Sequence, residues 1–251
     1  MSVATPQSEN MKSVLGRLIF APQAPLSVQK AVQRMLRGPR LTTIRLRNGQ
    51  RFACLTSEKY YWFGDAYEAD ERGDLEESLN ADSVLYDVGA HAGFWELALA
   101  AQCKSVHAFE PSPANFARLE RNVLSNGIAN VTLVQAAASS APGRQCIAER
   151  GTVSRLSQEG SPVEVITLDD YISRHEPPTV VKIDTEGHGA AVLQGMQRCL
   201  AQHRPVLFIE LHDPAETAGC DALLRPLGYR GIPLGATGRF PHRVKFAVAG
   251  N

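Results

Sequence analysis

Val84-Leu85-Tyr86-Asp87-Val88-Gly89-Ala90-His91-Ala92-Gly93-Phe94 is the stretch on which the reading of this chain turns. A short, mostly apolar run meets a glycine-marked turn, and Phe94 to Ala101 beyond it is helical in composition. Strand, tight turn and helix in that order make the first half of a βαβ unit, whose ligand site lies at the carboxyl end of the strand. Glycine at 89 and 93 lets the backbone come close to a bound nucleoside. The spacing is D-x-G-x-H-x-G, not the G-x-G-x-x-G of dinucleotide sites, because His91 and Phe94 stand where glycines would be needed. Asp87, two residues ahead of the first glycine, suits a ligand with a free amino group better than a pyrophosphate. The plainer alternative is a strand-to-helix turn with no ligand.

Outward from this turn, strands and helices alternate. Ser105 to Phe109 reads as a strand, Asn115 to Asn126 as a helix closed by Gly127, and Val131 to Gln135 as a strand. Gln145 to Glu149 and Val163 to Thr167 read as short strands, and Leu168 to Ser173 as a short helix. Then come a strand over Thr179 to Ile183, a helix over Ala190 to Gln202, a strand over Val206 to Leu211, a helix from Thr217 to Arg225 stopped by Pro226, and a last strand over Phe246 to Ala249. Such alternation implies parallel pairing through right-handed crossovers, hence an α/β, doubly wound sheet. Upstream, Ser27 opens a helix through Leu36, and Asn48-Gly49 joins Thr42–Leu46 to Arg51–Leu55 as a hairpin. The expected organisation is therefore an N-terminal extension over residues 1–80 and a main domain over residues 81–251.

Three polar clusters end apolar strands. In Val106-His107-Ala108-Phe109-Glu110-Pro111, Glu110 stands where an acid accepts hydrogen bonds from ribose hydroxyls, and Pro111 stops the strand. Glu110 as a helix-start acid is the alternative. Lys182-Ile183-Asp184-Thr185-Glu186-Gly187-His188-Gly189 places Asp184, Glu186 and His188 at the next strand end, with two glycines leaving room for a ligand. His188 bonded to backbone and Lys182 as a strand-edge charge are the plain readings. In Phe208-Ile209-Glu210-Leu211-His212-Asp213-Pro214, alternation sends Glu210 and His212 to the same side. Asp184, Glu210 and Asp213 are candidate ligands for Mg²⁺, which takes a few carboxylates plus ligand and water. His107, His175, His203 and His242 have no sequence partners and are read as structural or surface residues.

Composition sets outer limits. Lys plus Arg and Asp plus Glu are 26 each, so net charge gives no sign of a nucleic-acid partner. Up to Arg51, nine basic residues, Arg34, Arg37 and Arg40 among them, face the lone acid Glu9; the stretch from Glu58 to Glu77 is acidic. A basic end can touch an anionic substrate or a membrane surface, although a solvated face is the usual meaning of such a run. Five cysteines without a CxxC pair indicate free thiols in a reducing compartment, and no apolar run is long enough for a membrane span, so the expected location is cytoplasmic.

Asp87-Val-Gly-Ala-His-Ala-Gly93, Phe109-Glu-Pro111 with Asn115-Phe116, Asn130-Val131, Thr167-Leu-Asp-Asp170 and Lys182-Ile-Asp-Thr-Glu-Gly187 occur in order. The set resembles the FkbM family of S-adenosylmethionine (SAM)-dependent methyltransferases, over roughly residues 40 to 213. The resemblance implies a Rossmann-like class I methyltransferase fold with a mostly parallel, seven-stranded sheet. It implies that Asp87, Gly89, Ala90, His91 and Gly93 line the methionine end of SAM, that Glu110 and Pro111 meet the ribose, and that Ala137, in the loop after the Val131 strand, lies near the adenine. Tyr67 and Glu68 resemble a pair that closes the cofactor site, and Asp184 belongs to it too. Most members carry Asn where this chain has His91, which makes pH-sensitive SAM binding near neutrality an expectation.

The implied activity is transfer of a methyl group to an oxygen of a sugar, glycolipid or natural-product hydroxyl. That chemistry requires in-line positioning and a proton acceptor, for which Asp184, His188, His212 and Glu210 are the candidates. A non-catalytic SAM-fold module, or a methyltransferase acting on a nitrogen of a macromolecule, is the alternative, and a homo-oligomer fits the sequence equally well.

Overall fold

The structure is a computed structural model and describes residues 40–58, 69–150, 153–157, 159–235 and 240–249. The helix expected over Ser27–Leu36, together with Arg34, Arg37, Tyr67 and Glu68, lies outside the described residues.

The hairpin forms as the Asn-Gly pair requires. Leu41–Arg45 (β1) and Arg51–Leu55 (β2) run antiparallel with Arg45 opposite Arg51, and Gly49 takes φ +86°. Arg45 and Arg51 are exposed, as a solvated face demands, while Phe52, Ala53 and Cys54 are buried. The hairpin rests on the helix Pro113–Ser125 (α3). Asn122 of that helix accepts from Ala53 N (2.8 Å) and donates to Ala53 O (3.0 Å) and Ala92 O (2.7 Å). One buried amide therefore joins the hairpin, the helix and the glycine turn. The acidic stretch contains a helix the sequence reading did not foresee, Ala69–Glu77 (α1). Two of its acids are not solvated: Glu58 and Glu71 are buried.

The main sheet joins Val84–Val88 (β3), Ser105–Phe109 (β4), Val131–Val134 (β5), Val180–Ile183 (β10), Val206–Leu211 (β11), Tyr229–Leu234 (β12) and His242–Val248 (β13), in the order β12-β13-β11-β10-β3-β4-β5. β3 pairs parallel with both β4 and β10, and β4–β5 and β10–β11 are also parallel. β13 is antiparallel to β11 and β12. The seven-stranded, mostly parallel, doubly wound sheet stands as expected. Alternation on β3 sends Leu85 to one face and Val84, Tyr86 and Val88 to the other. The Leu85 side packs with Phe52, Leu97 of Phe94–Leu99 (α2) and Leu119; the Tyr86 side packs with Val192, Leu200 and Leu224.

Several boundaries differ from the sequence reading. Ala137 is not in a loop: Ala137–Ala138 (β6) pairs with Ser161–Ile166 (β9), which continues through Gly143–Arg150 (β7) to Val153–Ser157 (β8) in a separate four-stranded sheet. The expected helix Ala190–Gln202 is two helices, Gly189–Gln194 (α5) and Gln197–Gln202 (α6). The break falls at Gly195, whose carbonyl accepts from Asp169 N at 2.9 Å and whose backbone lies so close to the Ser139 carbonyl that a Cβ would collide. Asp169 caps the second piece by accepting from Arg198 N and Cys199 N, both at 2.9 Å. Thr167 caps Leu168–Ile172 (α4), which accounts for the Thr-Leu-Asp-Asp motif. The last helix starts at Pro214, not Thr217: Pro214–Leu224 (α7) has Asp213 as N-cap, accepting from Glu216 N at 2.8 Å, with proline in the first turn. Strand β12, an exposed edge containing Pro233, was not expected. His107 is structural, as read: it is buried, and its Nδ1 lies 2.8 Å from the Tyr171 hydroxyl. The five cysteines are free thiols. Among the described residues no helix is long and apolar enough to cross a membrane.

Candidate active site

Sheet register gathers the polar strand ends. Val88 is level with Phe109 and Ile183, and Ile183 with Ile209. The next residues, Gly89, Glu110, Asp184 and Glu210, therefore occupy one further step at the carboxyl ends of four adjacent parallel strands. Between β3 and β10 the chain order reverses, which is where open α/β sheets bind ligands.

On the β3–β4 side the turn is built from backbone. Gly89 N and Ala90 N donate to Phe109 O at 2.9 and 3.0 Å, and His91 N donates to Glu110 Oε2 at 2.9 Å. Glu110 Oε1 accepts from Ser112 N (2.8 Å), beyond Pro111. Gly89 has φ +99°, and a Cβ there would collide with the Asp184 carbonyl oxygen; a Cβ on Gly93 would lie 2.8 Å from Leu119 Cδ1. Both glycines are thus demanded by packing inside the fold, rather than by nucleoside approach alone. His91 has φ +51°, a conformation that Asn and His tolerate better than most side chains, which gives a physical reason for either residue at this position.

Three sequence readings change here. Asp87 does not open onto the turn: it is fully buried, 3.9 Å from Lys182 Nζ, and close enough to the buried carboxyl of Glu96 in α2 for its charge to act there. Burial first, then the Asp87 charge, push Glu96 well above the usual carboxylate range. Lys182 is buried, over the Trp95 ring at 5.4 Å, and is not an edge charge. His91 is not poised near neutrality. Burial pushes its imidazole down to about 4, with Arg118 acting in the same direction and Glu58 against it. Arg118 Nη2 lies 3.2 Å from His91 Nε2; a guanidinium only donates, so the neutral ring accepts there. Arg118 also donates to Glu58 at 2.6 and 2.7 Å. Glu110 is pushed up to about 7 by burial, against the hydrogen bonds from Ser112, His91 and Asn115.

On the β10–β11 side, His212 is the centre. Its Nε2 lies 3.4 Å from Glu186 Oε2, 3.7 Å from Glu210 Oε1 and 3.8 Å from Asp184 Oδ1. Cations hold the far oxygens: Lys182 Nζ is 3.6 Å from Asp184 Oδ2, and Arg243 Nη2 is 2.6 Å from Glu210 Oε2, while Arg243 Nε reaches Glu71 at 2.7 Å. Burial alone would lower the His212 pKa, but Glu216, Asp184, Glu210 and Glu186 together outweigh it and raise the imidazole.

The three other acceptor-side candidates separate. Asp184 and Glu210 join His212. His188 instead bonds to Ser139 Oγ at 2.9 Å, and burial lowers its pKa. Asp213 is taken up as the α7 cap, so the set Asp184, Glu210 and Asp213 does not assemble; the three that converge are Asp184, Glu210 and His212. An imidazole in that set, and a cation on each carboxylate, fit poorly with Mg²⁺, which prefers all-oxygen coordination.

Sequence reasoning missed Glu216, Glu96, Arg118, Glu58 and Arg243. Glu216 had one available signal: Asp213-Pro214-Ala215-Glu216 has the spacing of a capping box, an acid three residues after the cap, although its side chain accepts from His212 N and Gly189 N instead. Glu96 lies in the first turn of the helix after Gly93, while Glu58, Arg118 and Arg243 reach the site from distant segments and leave no local mark.

Residues 87–230 match the family described as the methyltransferase FkbM domain. Hexuronic acid methyltransferase AglP of Haloferax volcanii is 34% identical over 146 residues, covering 55% of this chain; the match spans only 59% of that protein's length. Among solved structures, M. jannaschii TYW2 in complex with AdoMet aligns with a TM-score of 0.51 at 14% identity, covering 83% of this chain and 86% of that one. Trm5b from Pyrococcus abyssi gives 0.50 at 15% identity, covering 82% and 55%. These two likenesses concern the fold. The family match takes in more than half of the chain and includes the glycine turn, Glu110, Asp184 and His212, and the chain belongs to the FkbM methyltransferase domain family.

Proposed function

We propose that this protein is a SAM-dependent methyltransferase acting on an oxygen of a sugar or sugar acid. The observation that carries this reading is the shared step of Gly89, Glu110, Asp184 and Glu210 at the switch point of the sheet, inside the family-matched segment. The residues fit SAM. Glu110 is a buried carboxylate at the ribose position, and the carboxylates of Asp184, Glu186 and Glu210 form an anionic wall suited to a cationic ligand. Gly89, Ala90, His91, Gly93, Pro111 and Ala137, with Tyr67 and Glu68 from the N-terminal extension, complete the proposed cofactor lining; Asp87 supports it from beneath.

Bound SAM supplies a methyl group already activated by its sulfonium. The chain's own part is to hold the acceptor hydroxyl and remove its proton. His212 Nε2 takes that proton, and the three carboxylates around it stabilise the imidazolium that forms. With its pKa raised, His212 is a stronger base than free imidazole but is available only after it deprotonates, so turnover rises with pH through a midpoint above 6.5. The name of the Haloferax relative supports a sugar acid as acceptor. A hydroxyl needs the base, whereas a sugar carboxylate does not.

The test is calorimetric titration with SAM and with NAD⁺, followed by incubation with hexuronic acids and neutral sugars. SAM binding without NAD⁺ binding, and an alkali-stable methyl ether whose formation is lost in His212→Gln, are expected. An alkali-labile methyl ester formed equally well by His212→Gln would replace the hydroxyl reading with carboxylate methylation. Absence of SAM binding would refute the proposal.

A further inference from the structure

Glu216 belongs to neither strand end, yet it touches both loops that carry the proposed acceptor residues. It lies in the first turn of α7, is 5% exposed, and its own N–H is capped by Asp213. Oε1 accepts from Gly189 N at 2.8 Å, at the end of the loop bearing Asp184, Glu186 and His188. Oε2 accepts from His212 N at 2.8 Å and lies 3.5 Å from His212 Nδ1. The approach to Gly189 leaves no room for a side chain, since a Cβ there would lie 2.9 Å from Oε1. An ionised carboxylate offers both oxygens to these two backbone N–H groups, with His212 Nδ1 beside the second; glutamine offers one.

We propose that Glu216 is the positioning residue of this site: it locks the β10 and β11 loops together and holds His212 with its proton on Nδ1, leaving Nε2 free to accept. This rests on the reading of His212 as the proton acceptor. Nε2 lies 3.4–3.8 Å from Glu186, Glu210 and Asp184, with Lys182 at the far oxygen of Asp184 and Arg243 at that of Glu210, while Nδ1 lies 3.5 Å from Glu216 Oε2, the oxygen already fixed by His212 N. An imidazole is oriented and its tautomer set by what its other nitrogen bonds, the logic of carboxylate–histidine pairs on unrelated folds. Burial opposes the charge on Glu216, but the bonds from His212 and Gly189 more than compensate and hold its pKa below the usual carboxylate value.

The experiment uses the full chain with Glu216→Gln, Glu216→Asp and His212→Gln in parallel. SAM affinity, kcat and acceptor KM across pH, and thermal midpoint are measured for each. For Glu216→Gln we expect SAM affinity within about twofold, kcat lower by about 100-fold, and the rising limb of the kcat profile displaced to lower pH, because one of the carboxylates that raise His212 is gone. Glu216→Asp keeps the charge and is expected to hold the wild-type midpoint with a partial loss of kcat. A loss of kcat in Glu216→Gln with an unmoved midpoint marks a merely structural role and overturns the proposal, as does unchanged kcat. Nitrogen-15 NMR of wild-type histidines, at a pH where His212 is neutral, gives a readout independent of turnover and of variant folding. A proton on Nδ1 supports the proposal, and a proton on Nε2 overturns it. Full activity in His212→Gln removes the base reading itself; an inactive His212→Gln beside a wild-type-like Glu216→Gln removes only the role of Glu216.

Discussion

Glu110 gives a prediction with a worked magnitude. Its carboxyl is 4% exposed and rises from 4.5 to about 7, so burial outweighs the donors at Ser112, His91 and Asn115 by roughly 3 kcal/mol against the ionised form. A ribose diol donates two hydrogen bonds, which only the ionised carboxyl can fully accept. SAM binding then requires loss of the proton, and affinity rises with pH. With binding confined to the ionised form, apparent Kd grows by about twofold at pH 7, about elevenfold at pH 6 and about 30-fold at pH 5.5, relative to alkaline pH. His91 does not interfere, since its imidazole titrates at about 4. Stability moves the opposite way. A group with a raised folded-state pKa stabilises the free protein below its unfolded value of about 4.5, and that contribution is lost as pH rises through about 7. Calorimetry of SAM from pH 5.5 to 8.5, with buffers of different ionisation enthalpy to count released protons, measures the effect. Glu110→Gln should bind weakly and show a flat profile. A wild-type affinity that changes less than twofold over this range, with no proton release, would refute the reasoning.

Other outcomes follow from the same geometry. Gly89→Ala forces a Cβ into the Asp184 carbonyl at φ +99°, so the protein should lose several kcal/mol, of the order of 3–5, and yield little folded material; a thermal midpoint within a few degrees of wild type would contradict the clash. Asn122→Ala leaves Ala53 N–H and C=O and Ala92 C=O without their partner, which should cost about 2–4 kcal/mol and lower the midpoint by roughly 4–16 °C, measured by thermal denaturation. Dialysis against EDTA should leave turnover unchanged, because Lys182 and Arg243 already hold the far oxygens of Asp184 and Glu210; a loss restored by a divalent cation would make the Asp184, Glu210 and His212 cluster a metal centre.

The sequence by itself determined the parallel centre of the sheet and the glycine turn, but not the edge strand β12. Periodicity and turn chemistry are local: apolar runs such as Val84–Val88 and Val206–Leu211 have few alternatives, and Asn48-Gly49 makes a hairpin wherever it sits. Because register follows once parallel strands pair, the placing of Glu110, Asp184 and Glu210 at the carboxyl ends of neighbouring strands was legible in the sequence. Local signals failed where a backbone meets another backbone or a charge meets a distant charge. Position 195 must be glycine because of the Ser139 carbonyl, Asp213 looked like a ligand until α7 took it as a cap, and His91 looked like a neutral-pH switch until burial pushed it to about 4. The different surroundings of His188 and His212 also belonged to tertiary structure: four carboxylates from separate positions surround the His212 ring, and a serine hydroxyl meets His188, which is why His212 is the proposed base. Spacing along a chain specifies what can share a face, but desolvation and charge depend on everything that packs around a group, and that exists only once the chain is folded.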